Sequence, residues 1–412
     1  MIKIQIKDVA ILKASYLSTI KPLVINDLKL LKLSLEHLQD YTTIKNEDIV
    51  SVKTITKDIA NIIRSSKVPK GYFNKPVYIN GVQNYLVGAN NIKTVNLSNL
   101  TNLISTLIDP ANNRLDLILI GDAVNLKNIS DSLLSNYNLV NEGELEVLKL
   151  AFNYLGDIGK TVRGFFYDKK LTTFCPYCNQ VIAFHSENRQ TGKTADQFNL
   201  DHFFCKDKNP LLALSLFNLV PCDMICNMTN KGSIQFSNKY HLNPYISGFK
   251  RSMVFRPIYN PLNFDIIKID LFITVDRNSP EHLQLIGDKD RLDEQPEHGN
   301  LNVFQIYTKY NRPDVYERST HILRKIYYTA INQKSLNDIL QQTGLINSYD
   351  NFKRWYEEMA LSRFQENEFD KQPYSKLNRD ILDFVYDKHP QDFNGEIRKI
   401  IADSYLPDIG GE

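Results

Sequence analysis

Cysteine is scarce in this chain of 412 residues: there are five, all between positions 175 and 226. A secreted disulfide framework needs many more per unit length, so the count excludes that class and predicts a reducing compartment. Long apolar runs are missing too. The longest, Leu211 to Pro221, is interrupted by Ser215 and Asn218 and falls short of the ~18 residues that a membrane helix requires. The N-terminus, Met1-Ile-Lys-Ile-Gln-Ile-Lys-Asp8, alternates Lys and Ile and lacks the apolar stretch of a signal peptide. The expectation is a cytoplasmic protein that makes no use of a membrane. Net charge is nearly absent, +2 from 49 Lys+Arg and 47 Asp+Glu, and as an average it points to no partner. There is no repeat and no low-complexity tract, which argues against solenoids and propellers.

What is present is the composition of a globular protein, 42% hydrophobic and 11% aromatic, long enough for two to four domains at ~100 to 200 residues each. The fold class expected is α+β. Residues 1–158 mix helix and strand signals and read as an α/β region with a regulatory, sensor or partner-binding role. Leu28, Leu31, Leu35 and Leu38 have helical spacing behind an Asn26/Asp27 cap, and Leu115-Asp-Leu-Ile-Leu-Ile120 before Gly121 reads as a buried strand. Leu145, Leu148, Phe152 and Leu155 predict a helix from about Glu144 that stops at Gly156. Residues 256–412 read as mostly helical, after a β-rich stretch near Ile266 to Val275. They include a polar loop from Asp288 to Asn300, a helix carrying Phe352, Trp355, Tyr356, Met359 and Phe364, and another entered at Pro373-Tyr-Ser375 with Leu377, Ile381 and Phe384.

Two short matches mislead. Gly159-Lys-Thr161 and Gly192-Lys-Thr194 look like the end of a phosphate-binding P-loop, but the glycine required five positions earlier is Tyr154 in one and Glu187 in the other. Without it, consecutive backbone N–H groups cannot wrap a phosphate.

The middle segment, 159–255, carries the chemistry. Between 159 and 253 twelve Lys and Arg stand against six Asp and Glu, a local +6 that leaves −4 for the remainder. The segment contains Phe174-Cys-Pro-Tyr-Cys-Asn179, then Leu200-Asp-His-Phe-Phe204, then Phe217-Asn-Leu-Val-Pro-Cys-Asp-Met-Ile-Cys-Asn227, and Asn230-Lys-Gly232. Cys175-x-x-Cys178 can place two thiolates on one metal, and Cys222 with Cys226 can complete a closed, structural Cys₄ zinc site. Four buried thiols acting as small hydrophobes is the plainer alternative. Cys205 reads as a packed thiol, and His185 and His241 as structural or exposed.

At these residues the sequence resembles the HNH nucleases, whose ββα-metal motif has the form Cys-x-x-Cys, Asp-His, Asn-Leu, Cys, Cys-Asn, Lys. The similarity is greatest to the zinc-braced bacterial subgroup with Asp-His-Phe-Phe and Asn-Leu-Val-Pro, found among Septu-type and retron-linked antiphage effectors. It extends through Tyr307-Thr-Lys-Tyr-Asn311 and Pro373-Tyr-Ser-Lys-Leu-Asn-Arg-Asp380. The resemblance implies a ββα-metal core with a zinc knuckle, and an endonuclease acting on DNA, with RNA such as tRNA as the alternative. It makes His202 the general base, Asp201 and Asn227 the ligands of a single catalytic Mg²⁺ or Mn²⁺, and Asn218 a brace for the His202 loop. It also implies a partner such as a defence-system ATPase. Neutral imidazole can take a proton from water near neutral pH, and two oxygen donors suit a hard cation that keeps its waters.

The pattern departs from the family at one point. Cys222 and Cys226 are separated by three residues and Asp223 occupies the usual first-cysteine position, so either Cys222 or Asp223 can complete the zinc set. Lys206, Lys208 and Lys231 are the candidate phosphate contacts, since neutralising phosphates supplies the sequence-independent part of nucleic-acid binding. Two rival functions remain: a catalytically silent, zinc-braced binding module, and a sensor whose main task lies in residues 1–158.

Overall fold

The structure is a computed structural model that describes residues 1–39, 95–139, 141–182, 185–187, 194–196, 199–287, 299–331, 357 and 366–388. The chain forms two compact units. One consists of Lys7–Lys169 with His202–Val220, and the other of Met1–Ile6, Lys170–Asp201 and Pro221–Glu412.

Among its described residues the first unit is helical, with α1 (Val9–Gln39), α2 (Leu97–Ile108), α3 (Arg114–Ile120), α4 (Leu126–Asn136), α5 (Glu142–Ala151) and α6 (Asp157–Lys169). Helix α1 buries Leu12, Tyr16, Ile20, Val24, Leu28, Leu31 and Leu35, a stripe repeating every three or four residues. Each such side chain contributes roughly 1.5–3 kcal/mol when fully buried. That stripe packs on α2, α3, α5 and α6. Tyr16 meets Phe165 edge-on at 5.0 Å and donates its hydroxyl to the Leu214 carbonyl at 2.7 Å. The returning segment 202–220 is thereby fastened to the helices, and Ser215 adds a hydrogen bond to the Ile118 carbonyl.

Three expectations for this region are corrected. The run 115–120 is helix α3 and not a strand: Leu115, Ile118 and Leu119 are its buried positions, a spacing that suits a short helix inside a helical core. Asn26 and Asp27 lie within α1 and cap nothing. The helix expected to stop at Gly156 ends at Ala151 with Phe152 as its cap, and Leu155 is 76% exposed. There the Asn153 side-chain Oδ1 accepts from the backbone N–H groups of Leu155 and Gly156 at 3.1 Å each, making the turn into α6. Helix α6 runs across the 158/159 boundary suggested by composition.

The second unit carries most of the strands. β1 (His185–Glu187) pairs with β2 (Thr194–Asp196), β3 (Asn199–His202) with β4 (Leu219–Cys222), and β5 (Met253–Tyr259) with β6 (Ile266–Ile273), the last an antiparallel hairpin in which Met253 faces Ile273. Its helices are α7 (Pro280–Ile286), α8 (Asn300–Val303), α9 (Ile306–Tyr310), α10 (Pro313–Ile331) and α11 (Ser375–Lys388). Helices α10 and α11 pack on each other and on the β5–β6 hairpin. The strand expected near 266–275 and the helix entered at Pro373 are both present, with Leu377 and Ile381 fully buried. An ion pair inside this core, Lys376 with Asp380, is completed by the Phe255 N–H donating to the same carboxylate at 2.8 Å. The molecule is thus mixed α+β, with small two-stranded sheets. The polar loop from Asp288 and the helix expected around Trp355 lie outside the described residues.

Candidate metal centre and the Asp201-His202 segment

The sequence Cys175-Pro-Tyr-Cys-Asn179 folds into a knuckle. Phe174 and Ile182 form an antiparallel bridge, the Cys175 N–H donates to the Val181 carbonyl at 2.8 Å, and the Asn179 N–H returns to the Cys175 carbonyl at 2.8 Å. Asn179 takes a positive φ of 54° at the turn, a conformation asparagine tolerates better than most residues. Asn179 Nδ2 donates to the Phe369 carbonyl at 3.0 Å, and the Tyr310 hydroxyl donates to the Cys178 carbonyl at 2.7 Å. The Tyr374 N–H donates to the Asn179 carbonyl at 2.7 Å, so both C-terminal stretches that extended the resemblance reach the knuckle.

Cys175, Cys178 and Cys226 bring their sulfurs within 4.8 Å of one another, and all three residues are buried. Tetrahedral zinc with Zn–S bonds of about 2.3 Å holds its sulfurs about 3.8 Å apart, so the group fits a thiophilic ion. Hydrogen bonds from Cys175 and Cys226 draw the Cys178 thiol well below its ordinary pKa. Burial pushes Cys175 up, and Cys226 is pushed up by its hydrogen bonds to the other two sulfurs and by burial. Backbone groups act downward on two of these thiols, Val181 on Cys178 and Asp223 on Cys175. Lys309 Nζ lies 3.0 Å from Cys226 Sγ; burial lowers the lysine, but the nearby sulfurs raise it more, and the net shift is upward.

Neither candidate for the fourth zinc ligand belongs to this group. Cys222 is fully buried but is not one of the three clustered sulfurs. Asp223 uses Oδ2 to accept from the Cys226 N–H at 3.0 Å, capping the following turn. Cys205 is also absent from the group. His241 is buried against Phe236, with rings stacked at 4.0 Å, and its Nδ1 accepts from the Ser237 N–H. The side chain of His185 lies outside the described residues.

Asp201 ends the second unit's share of β3 and is 3% exposed. Its Oδ1 pairs with Lys231 Nζ at 2.6 Å and its Oδ2 accepts from the Tyr177 hydroxyl at 2.5 Å. Lys231, expected as a phosphate contact, is itself 3% exposed. It stands at the end of a π-helical segment, Ile225–Lys231, with its ammonium 4.9 Å from the Phe236 ring centre. Burial and Asp201 both raise the Tyr177 phenol, which keeps it a donor. Asn227 sits one turn before Lys231 on the same segment and is half-buried. Magnesium can be fitted to this donor set in kind: a carboxylate already facing a cation, with an amide on the adjoining helix. Asp201 Oδ1 is already engaged by the Lys231 ammonium.

His202 opens the returning segment of the helical unit and is 9% exposed. Its Nε2 lies 2.9 Å from the Ala213 carbonyl oxygen, and Tyr154 meets the ring edge-on at 4.5 Å. A carbonyl only accepts, so Nε2 carries the hydrogen and the neutral ring has its lone pair on Nδ1. Asn218 ties down the loop between them. Its Oδ1 accepts from the Phe204 N–H at 2.7 Å, while Nδ2 donates to the Phe204 and Leu212 carbonyls at 3.1 and 2.9 Å. On this loop Lys206 and Lys208 make long surface pairs of 3.5 Å with Asp207 and Glu142, which hold such side chains weakly.

No family model, curated protein or solved structure matches this chain. Among the described residues, no helix is long and apolar enough to cross a membrane.

Tyr177, Lys309 and Tyr154 join the site only through the fold. Tyr177 lay inside the quoted knuckle and Lys309 inside the quoted C-terminal motif, so both were visible; neither residue type signals a zinc or carboxylate neighbour by itself.

Proposed function

We propose that this chain is an HNH-type endonuclease that hydrolyses phosphodiester bonds of DNA, with His202 as general base and a structural zinc at the cysteine cluster. The observation that carries the proposal is the hydrogen bond from His202 Nε2 to the Ala213 carbonyl. It directs the basic lone pair of the imidazole to Nδ1, the state required to accept a proton from water. Water deprotonated there attacks phosphorus, and the Ala213 carbonyl dipole stabilises the imidazolium that forms. Asn218 acts by holding the loop on which this hydrogen bond depends. Lys206 and Lys208, on the same loop, neutralise flanking phosphates. Asp201 and Asn227 would hold magnesium or manganese, which when bound supplies Lewis-acid stabilisation of charge on the phosphate and the departing 3′ oxygen. The products expected from the resemblance carry a 5′-phosphate and a 3′-hydroxyl, and a role as an antiphage effector rests on that same resemblance.

The buried Asp201–Lys231 pair favours a second reading, a zinc-braced nucleic-acid-binding module without catalysis. Plasmid cleavage with Mg²⁺ or Mn²⁺ separates the two. Wild type should nick or linearise DNA, and His202→Ala and Asn227→Ala should abolish this. Cleavage surviving in His202→Ala would overturn the nuclease assignment; wild type that is inactive with Mg²⁺ and Mn²⁺ but still shifts DNA would favour the silent module.

A further inference from the structure

We propose that Lys231 is a built-in competitor for the divalent cation at Asp201, so that the cation and the lysine ammonium hold the carboxylate in turn. The inference rests on the reading of Asp201 as a cation ligand. Asp201 is buried, and both of its oxygens have donors, Lys231 Nζ on Oδ1 at 2.6 Å and the Tyr177 hydroxyl on Oδ2 at 2.5 Å. The two partners differ in kind. Tyr177 is fixed by its ring, which stacks on Phe304 at 4.2 Å with 14° between planes, and by its place between Cys175 and Cys178. Lys231 comes from the last residue of the π-helical segment, next to Gly232, whose φ is +50°. Its four-carbon stem has several rotatable bonds through which the ammonium can leave Oδ1, giving up its place 4.9 Å from the Phe236 ring centre. A divalent ion and an ammonium on one carboxylate oxygen repel each other strongly in a site from which solvent is largely excluded, so binding of one disfavours the other. The Tyr177 hydroxyl keeps Oδ2 oriented in both forms. The contact with phosphate expected of Lys231 then belongs to the cation-bound form, in which its ammonium has left Asp201. The consequence is a cation requirement set by competition inside the protein, with weak metal affinity as its signature.

The test uses the full-length zinc-loaded chain and Mn²⁺ alone, whose binding is followed by its paramagnetic resonance signal. Lys231→Met should bind Mn²⁺ about tenfold more tightly than wild type, within the usual range of coupling between mutually exclusive ligands. Asp201→Asn should lose this binding. Unchanged affinity in Lys231→Met, with binding still lost in Asp201→Asn, would overturn the competition and leave the cation-ligand reading standing. Unchanged affinity in Asp201→Asn would overturn that reading and the competition with it. Removing one member of a buried pair can prevent folding, so wild type gives a second measure. Lys231 should resist acylation in buffer without added divalent cation and become labelled in saturating Mg²⁺, as read by mass spectrometry of its peptide. Labelling that ignores Mg²⁺ would overturn the proposal.

Discussion

The Tyr177 hydroxyl donates to Asp201 Oδ2 at 2.5 Å, so the residue lodged between two knuckle cysteines is also the support of the carboxylate beside the proposed general base in sequence. The cysteine knuckle and Asp201 are therefore parts of one assembly: whatever loosens the knuckle loosens the carboxylate.

Tyr177→Phe should keep the stack on Phe304 and leave Asp201 Oδ2 buried without its donor. A loss of about 1–3 kcal/mol in unfolding free energy is expected, with zinc content unchanged. Urea denaturation and elemental analysis on the same sample check both halves.

The three-sulfur group predicts which cysteines hold metal. Wild type should carry about one zinc per chain, as a structural site does. Cys178→Ser and Cys226→Ser should lose it and melt at lower temperature, because metal binding at such a site is also folding free energy. Cys222→Ser should keep its zinc. Equal loss in all three would place Cys222 among the ligands.

Asp223 is expected to behave as a cap. Asp223→Ala removes the acceptor of the Cys226 N–H and should cost about 1 kcal/mol, without lowering zinc occupancy. Asp223→Asn should recover most of the stability. A zinc deficit in Asp223→Asn would show that the carboxylate is a ligand after all.

Asn218→Ala removes three buried hydrogen bonds to the loop that follows His202. The groups left unpaired predict a loss of ~2–4 kcal/mol. On the nuclease reading, cleavage should fall while DNA binding is retained, since the lysines of the loop are untouched. Thermal melts, cleavage assays and gel shifts together test this.

Burial raises the Asp380 carboxyl to about 6, even though Lys376 acts in the opposite direction. A carboxyl whose pKa is higher folded than unfolded favours folding most at low pH and loses that contribution as pH rises toward 6. The stability of wild type relative to Asp380→Asn should therefore decline between pH 4 and pH 6, by up to ~3 kcal/mol. Denaturation curves at a series of pH values would reveal the slope, and a flat difference would refute it.

How much could be read from the sequence depended on whether a residue's neighbours lie close in the chain. The knuckle is local, so the approach of Cys175 and Cys178 was legible from their spacing, while the positive φ at Asn179 was not. The stripe of α1 was legible in part: Leu28, Leu31 and Leu35 showed it, but Tyr16 and Ile20 extend it back past Pro22, which sits on the exposed side of the helix. The run 115–120 misled because six consecutive apolar or acidic residues suit either a strand or a short helix, and only the surrounding helices decide. The site was legible in residue type and not in pairing. Lys231 lies thirty residues from Asp201, and no local pattern distinguishes a solvated lysine from one buried against a carboxylate. Asp223 stood where a cysteine was expected; that its carboxylate serves a backbone N–H depends on the turn it begins.

The π-helical segment has a consequence for how this stretch can change length. Its closing hydrogen bond joins the Gly232 N–H to the Asn227 carbonyl, five residues back, one residue wider than an α-helical turn. Such a segment is what an α-helix becomes when it accepts a single inserted residue. Deleting one residue between Asn227 and Lys231 would relax it to an ordinary helix and rotate everything beyond by about 100°, one residue's share of an α-helical turn. Lys231 would then point away from Asp201. Descendants of this sequence can exchange side chains at 228–230 with little penalty, but they cannot lose a position there and keep both residues in place.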